Sequence, residues 1–413
     1  MTMTAYTNAR IIDPKSGQDF LGSLVTNHDI ITDMGPDIII PEQADTIDCG
    51  GRVLCPGFID MRAHAVDWQA AVAGGITTVI LQPDQSTIID NDAAVERIRA
   101  RAKDLGTVNV LPMGTATKAM TGQEISEIGQ MLDSGAVAFT DCRKPVTDAQ
   151  ILKRLMEYAG YYNALIVQFP EEQSLKGDGI AHDGPIATRL GLAGIPAIAE
   201  QIQIERDARL AEATNSRLHI ALISSREGLD AVRQAKARGV QITCSTAPHY
   251  LHLNEHALEG YPTFVKVSPP FRSEEDRLAL IDAVADGTID TIVSDHDPKN
   301  PDLKRLPFGQ AAHGVSSYET LLPLALKPVQ DGTMSLMDLL ATLTSKPAAL
   351  LDIDSGHLAV GAKADLTIFD PDKPWVIKRD RLKAAASNTP FDTLPVQGKV
   401  WQTIIAGKPV YTV

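Results

Sequence analysis

Cysteine is scarce in this chain. Its 413 residues contain four, Cys49, Cys55, Cys142 and Cys244, and none is in a CxxC pair. Four thiols cannot staple a chain this long, so they predict reduced, mostly buried cysteines in a cytoplasmic protein. An excess of positive charge is also missing. Lys+Arg number 38 against 52 Asp+Glu, a net charge of −14. That balance argues against nucleic acid or an anionic membrane surface as the main partner. No apolar run reaches the roughly 20 residues of a membrane span. The start, MTMTAYTNARIIDPKSG, lacks the basic-then-apolar layout of a signal peptide. There is no internal repeat, low-complexity tract or long linker. No G-x-G-x-x-G follows the first strand, which disfavours a doubly wound dinucleotide fold. No Lys-Ser/Thr follows Gly74-Gly75, so that pair reads as backbone packing rather than a phosphate loop.

What is present is ordinary globular composition, 44% hydrophobic and 22% charged, and this excludes a disordered chain. A single core rarely grows past about 250–300 residues, so a large domain with a smaller one is expected. Eight short apolar, β-rich runs fill the middle: 57–64, 77–81, 109–113, 136–140, 164–168, 218–222, 241–244 and 291–294. Amphipathic windows separate most of them, among them 148–159, 195–213 and 274–285. Strands alternating with helices imply a parallel sheet. Eight such units predict an α/β fold, a (β/α)₈ TIM barrel over residues 55–356. Residues 1–54 and 357–413 carry short β runs with turn residues, and are assigned together to one small flanking β-sandwich.

Barrel enzymes hold their chemistry at the C-terminal strand ends. Strand one ends Asp60-Met61-Arg62-Ala63-His64, and period-two alternation points Arg62 and His64 the same way. Strand four runs into Asp141-Cys142-Arg143, strand five ends at Gln168, and strand six reaches Leu222. Strand seven leads into Ala247-Pro248-His249-Tyr250, and strand eight ends Ser294-Asp295-His296-Asp297.

The segments PGFIDMRAH, AAVAGGITTVILQP, GAVAFTD, APHYLHL, KVSPPFR, SDHDP and GAKADLTIFDP, in this order, resemble the amidohydrolase superfamily. More narrowly they resemble class I dihydroorotases, over nearly the whole chain. The resemblance implies a metal-holding barrel with a flanking β-sandwich, in which a metal-activated water opens a cyclic amide and the strand-eight aspartate handles the proton. Against that pattern His64, Asp141 and Asp295 remain at metal-ligand positions, while Arg62, Gln168 and Leu222 replace ligands. Zinc needs three or four ligands of the right type, and a guanidinium among them repels it. The substrate positions implied by the resemblance are replaced at Val66, Asp84, Ser268 and Lys299. Losing an arginine at 66 removes a bidentate grip on a carboxylate, and Asp84 repels an anionic substrate.

The expectation is therefore a dihydroorotase-like protein of pyrimidine biosynthesis with a degraded site, no metal cofactor and a vestigial Asp295. The resemblance points to aspartate carbamoyltransferase as a structural partner, or to a homo-oligomer. The alternative is an active cyclic-amide hydrolase using zinc or an atypical reduced site built on His64, Asp141 and Asp295. Because strand eight closes against strand one, Arg62 is expected to pair with Asp295 in place of the metal charge, with Asp141 as a second carboxylate beside it. His249, His252 and His256 are read as a loop followed by a new helix rather than a metal cluster. His219 and His296 are read as satisfied core histidines, and residues 299–305 as a solvated loop.

Overall fold

The computed structural model describes residues 3–413. Both chain ends meet in one eight-stranded sheet. Its order runs Lys408–Thr412, Pro395–Ile405, Leu366–Val376, Val53–Pro56, Met3–Asp13, Gln18–Asn27 and Ile30–Gly35, with Asp45–Asp48 also paired to Met3–Asp13. The seam between the ends is the antiparallel pair Leu366–Val376 and Val53–Pro56, in register at Leu366 with Pro56. Tyr6, Ile11, Leu24, Leu54, Leu366, Ile368 and Ile404 are fully buried in a small core of their own. The opposite face is buried too: Ile12, Val53, Cys55, Phe369 and Ile405 join the large core of the middle of the chain, so alternate residues of these strands serve the two cores.

The middle of the chain is α/β, as an amidohydrolase-type fold requires. Phe58–Ala63, Ile76–Leu81 and Asn109–Pro112 form one parallel sheet. Ile166–Gln168, Leu218–Ile220, Ile242–Thr246 and Thr291–Ile292 form another. Single parallel bridges join Gly114 to Phe139, Phe139 to Ile166, and Ala63 to His296. Every residue of Phe58–Ala63 and Ile76–Leu81 is buried, which is why these strands read as continuous apolar runs rather than alternating ones. Asp60 accepts the Ser294 N–H at 2.8 Å and so ties the first of these strands to the last.

The connecting helices start where their caps predict. Asp148 caps Ala149–Tyr161, Ser225 caps Arg226–Ala237, and Ser273 with Asp276 makes a full capping box for Glu274–Ala285. Two expected boundaries change. Residues 136–140 form no extended strand and contribute two bridges at Phe139, with backbone hydrogen bonds from Val137 and Thr140 to Pro112 and Gly114 on one side and from Phe139 to Leu165 on the other. The helix expected from 195 begins at Ile198, since Ile195 pairs as a strand with His182 and Pro196 follows. Gly74 and Gly75 are packing residues: a Cβ on Gly74 would lie 2.2 Å from the Tyr318 carbonyl oxygen, and Gly75 has φ +82°. Among the described residues no helix is long and apolar enough to cross a membrane.

Candidate functional site

Arg62 is the centre of the polar cluster at the strand ends. Its side chain is 2% exposed, and its Nε donates to Asp295 Oδ1 at 2.9 Å. The adjacency of the first and last strands predicts this pair. Arg143 extends it, with Nη2 3.4 Å from Asp295 and Nη1 donating to Asp297 Oδ2 at 3.0 Å. Lys299 Nζ reaches Asp297 Oδ1 at 2.6 Å. His64 Nδ1 lies 2.7 Å from Asp84, while its Nε2 is 3.5 Å from Asp295, too long for a well-formed hydrogen bond. Three fixed cations (Arg62, Arg143, Lys299) thus face three carboxylates (Asp84, Asp295, Asp297). Counting the arginines and the lysine alone, cations and carboxylates are equal in number, and His64 stands between Asp84 and Asp295.

The titration behaviour follows from that arrangement. Burial pushes the Asp295 carboxyl up, but Arg143, His64 and Arg62 outweigh it and hold the group well below the usual carboxylate range. Burial also opposes ionisation of Asp84, yet the hydrogen bond and charge of His64 bring it down to about 2. Arg143 is desolvated, but Asp295, Asp297 and Asp84 raise its pKa further above the ordinary arginine value.

The other positions at which the resemblance implies ligands turn elsewhere. Asp141 does not join the cluster, correcting the expectation that it would sit beside Asp295. Its Oδ1 accepts the Ala116 and Thr117 N–H groups at 3.0 and 2.9 Å, and Thr117 Oγ1 donates to Oδ2. Burial raises this carboxyl to about 6 despite those bonds. Gln168 Oε1 accepts the Val146 N–H at 3.1 Å. Leu222 is fully buried and has no ligating atom. Cys142, Leu222 and Asp295 all take left-handed φ (58°, 65° and 50°), conformations that cost free energy for non-glycine residues and often gather at functional sites.

Residues 51–228 match the family model described as dihydro-orotase-like, and residues 328–411 match one described as amidohydrolase family. The chain is 40% identical over 417 residues to a dihydroorotase of Syntrophotalea carbinolica, covering 98% of each. It is 39% identical to a dihydroorotase of Geobacter metallireducens, covering 97% of this chain and 98% of the relative. A dihydroorotase of Anaplasma phagocytophilum is also 39% identical, with 98% and 95% covered. This chain belongs to the dihydroorotase-like amidohydrolase family. The fold agrees. An L-hydantoinase (dihydropyrimidinase) from Arthrobacter aurescens superposes with a TM-score of 0.88 at 24% identity, covering 100% of this chain and 96% of that one. A D-hydantoinase superposes at 0.86 and 21% identity, with 100% and 95% covered.

The family implies a metal, and the donor set here does not fit one. Among the described residues no three His, Cys, Asp or Glu side chains converge as a metal site would need. His64 and Asp295 remain near each other, but a guanidinium nitrogen occupies the approach to Asp295 and Asp141 has turned to Thr117. A cation placed there would meet Arg62 before it met a third ligand.

The other positions singled out in the sequence scatter. Val66 lines a cavity with Leu81, Gln85, Ile98 and Arg101, and Asp295 is not part of that lining. Ser268 is buried but makes no side-chain hydrogen bond among the described residues. His249 is buried against Tyr250 and Phe271, and burial lowers it to about 4. His252 Nε2 is bonded to the Leu324 carbonyl at 2.9 Å, and His256 is exposed beside Glu259, so the three do not converge. Pro248 opens a short helix, Pro248–His252, rather than a loop, because proline suits a first helical position. His219 sits between Thr243 and Ser245 with both ring nitrogens satisfied, whereas His296 stacks on Tyr318 at 3.7 Å and accepts the Ser317 N–H at Nδ1 but leaves Nε2 buried without a partner, which corrects the expectation for it. Residues 299–305 are not a free loop: Pro301–Lys304 is a helical turn, and Lys304 is 3% exposed.

Sequence reasoning missed Arg143 as a partner of Asp295. It also missed a second buried ion cluster, in which Glu200 accepts the N–H groups of Ser224 and Ser225 and stands 3.8 Å from Arg272. The pairing of Arg62 with Asp295 was a usable signal for the first, since two carboxylates need more than one cation. Nothing in the sequence marks the second.

Proposed function

We propose that this chain is a dihydroorotase-family protein of pyrimidine biosynthesis whose strand-end site does not perform metal-dependent ring opening. The observation that carries the reading is the Arg62–Asp295 pair, 2.9 Å long and buried on both sides. The guanidinium supplies the charge a metal would supply, but it has no open coordination position and cannot acidify a bound water. In this reading the single bridges at Phe139 and Ala63–His296 complete a ring of eight parallel strands, a (β/α)₈ barrel over 55–356. Residues 1–54 and 357–413 fold as its flanking sandwich. The protein works in the cytoplasm by assembly, with aspartate carbamoyltransferase or with itself.

A second reading has its own support. Relatives 39–40% identical over nearly the full chain bear the name dihydroorotase. Those names speak for a cyclic-amide hydrolase and lend nothing to a scaffold role. His64 Nε2 is buried without a hydrogen-bond partner, so one histidine nitrogen remains free at the site. One experiment separates the readings: hydrolysis of dihydroorotate, and its formation from carbamoyl aspartate, with and without zinc. Turnover lost on His64→Ala establishes the hydrolase. Absence of turnover in both directions, with co-elution of this chain and aspartate carbamoyltransferase in size-exclusion, establishes the scaffold.

A further inference from the structure

A groove of about 560 Å³ lies between the loop after the last parallel strand and the segment that returns from the eight-stranded sheet. Pro262, Phe264, Lys299, Lys304, Arg379 and Asn388 line it. Its size falls in the range of small-molecule pockets, about 300–1,000 Å³. Its charge is opposite to that of the chain. Lys304 is 3% exposed, yet no carboxylate lies within 4 Å of its ammonium among the described residues. Its Nζ donates to the Thr263 carbonyl at 3.1 Å and is 3.5 Å from that of Lys266. Lys266 behind it is likewise buried, and bonds only the carbonyls of Phe308 and Gly309 at 2.8 and 2.9 Å. Burial, with Lys299, Lys266 and Arg143 nearby, lowers the Lys304 amine to about 8, although Asp297 opposes the shift.

Around the groove stand Lys266, Lys299, Lys304, Arg305 and Arg379, against Asp297, Asp302 and Asp392 as their carboxylate partners. Five cations less three carboxylates leaves two positive charges uncompensated. Lys266 also lies over the Phe308 ring, but Lys304, which lines the groove, has only carbonyl dipoles beside its ammonium; such burial is costly, and an anion in the groove would relieve it. Asn388 is held rigidly, its amide donating to the Gly314 carbonyl at 2.9 Å while its Oδ1 accepts the Lys299 N–H at 3.1 Å. Two faces of the groove are thus fixed relative to each other. Phe264 and Pro262 give the third wall an apolar surface.

We propose that this groove binds a phosphate-bearing small molecule, its phosphate on Lys304 and Arg379 and its remaining part against Phe264. Phosphate suits the site better than a carboxylate because it carries more charge and three acceptor oxygens for dispersed donors. The inference does not rest on whether the chain opens a cyclic amide. The test is calorimetric titration of the full chain with inorganic pyrophosphate, and separately with a nucleoside triphosphate, at fixed low ionic strength, with citrate as the carboxylate control. The expected result is saturable one-to-one binding that weakens with added salt and drops roughly tenfold in Arg379→Ala and in Lys304→Met. Arg379 is half exposed, so its variant keeps the test open if the Lys304 variant does not fold. Equal affinity for the two phosphates places recognition on the phosphate alone, and a tighter nucleotide adds the Phe264 wall. No saturable heat up to about 10 mM, citrate binding as well as pyrophosphate, or unchanged binding in Arg379→Ala would each overturn the proposal.

Discussion

Asp295, at a strand end, and Glu200, in the first turn of the helix Ile198–Thr214, are both buried carboxylates, each facing an arginine that is 2% exposed, yet they behave oppositely. Asp295 has Arg62 at 2.9 Å, Arg143 at 3.4 Å and His64 at 3.5 Å, and is held far below the usual range. Glu200 has one arginine at 3.8 Å with neutral donors from Ser224 and Ser225, and burial pushes it up despite them. Desolvation acts on both. The number and closeness of cations decides which sign wins. The first site is built to keep a charge, and in the second burial works against the charge of a hydrogen-bonded acid.

The sharpest way to break that difference is Arg62→Met. It leaves Asp295 buried with one partner fewer, and should lower stability by about 3–5 kcal/mol in urea unfolding. Glu200→Gln should cost less, about 1–3 kcal/mol, because the amide oxygen still accepts from Ser224 and Ser225. If the two losses are equal, the contrast drawn between the sites is wrong.

Stability against pH sharpens the comparison further. Asp295 has a folded pKa depressed from 3.8, so its contribution is full above that value and is lost on acidification below about pH 4. Asp84, at about 2 when folded, loses its contribution between 3.8 and 2. Glu200 has a folded pKa raised above 4.5, so its contribution is present below that value and declines as pH rises past it. Thermal melts across pH 2–8 should therefore show a shallower acid limb in Arg62→Met and a shallower neutral limb in Glu200→Gln. An acid limb unchanged by Arg62→Met would remove Arg62 from the account of Asp295.

A metal should not compete with Arg62 for Asp295. Elemental analysis of protein purified without added metal should find no stoichiometric zinc, and Arg62→His is the variant that should raise zinc uptake. The smallest effect belongs to a pair outside both clusters. Lys153→Ala removes an exposed i,i+4 contact with Glu157 and should change stability by less than about 0.5 kcal/mol.

Much of the site is legible along the chain, and the reasons it stops being legible are local. Arg62 with Asp295 could be read because period-two alternation and adjacency of the first and last strands both constrain direction. Asp141 could not, because it follows a segment with only two bridges, and the Ala116 and Thr117 N–H groups capture its side chain. Lys304 looked solvated, since a charged run between prolines usually is. Its burial depends on Thr263 and Lys266, about 40 residues away, offering carbonyls.

By itself the sequence determined the alternation of buried parallel strands with capped helices, the β character of both ends, and the residue types at 62, 168 and 222, none of which is a customary zinc ligand. Those properties are carried by side-chain type and short-range period, which a linear reading retains. Only the tertiary structure decided that the two ends share one sheet through Val53–Pro56 and Leu366–Val376, that Arg143 and Lys299 join the ion cluster at Asp295 and Asp297, and that Lys304 is buried at a groove with Lys266 buried behind it. These are contacts between residues tens to hundreds of positions apart. Their free energy depends on distance and desolvation, and neither quantity exists until the chain has folded.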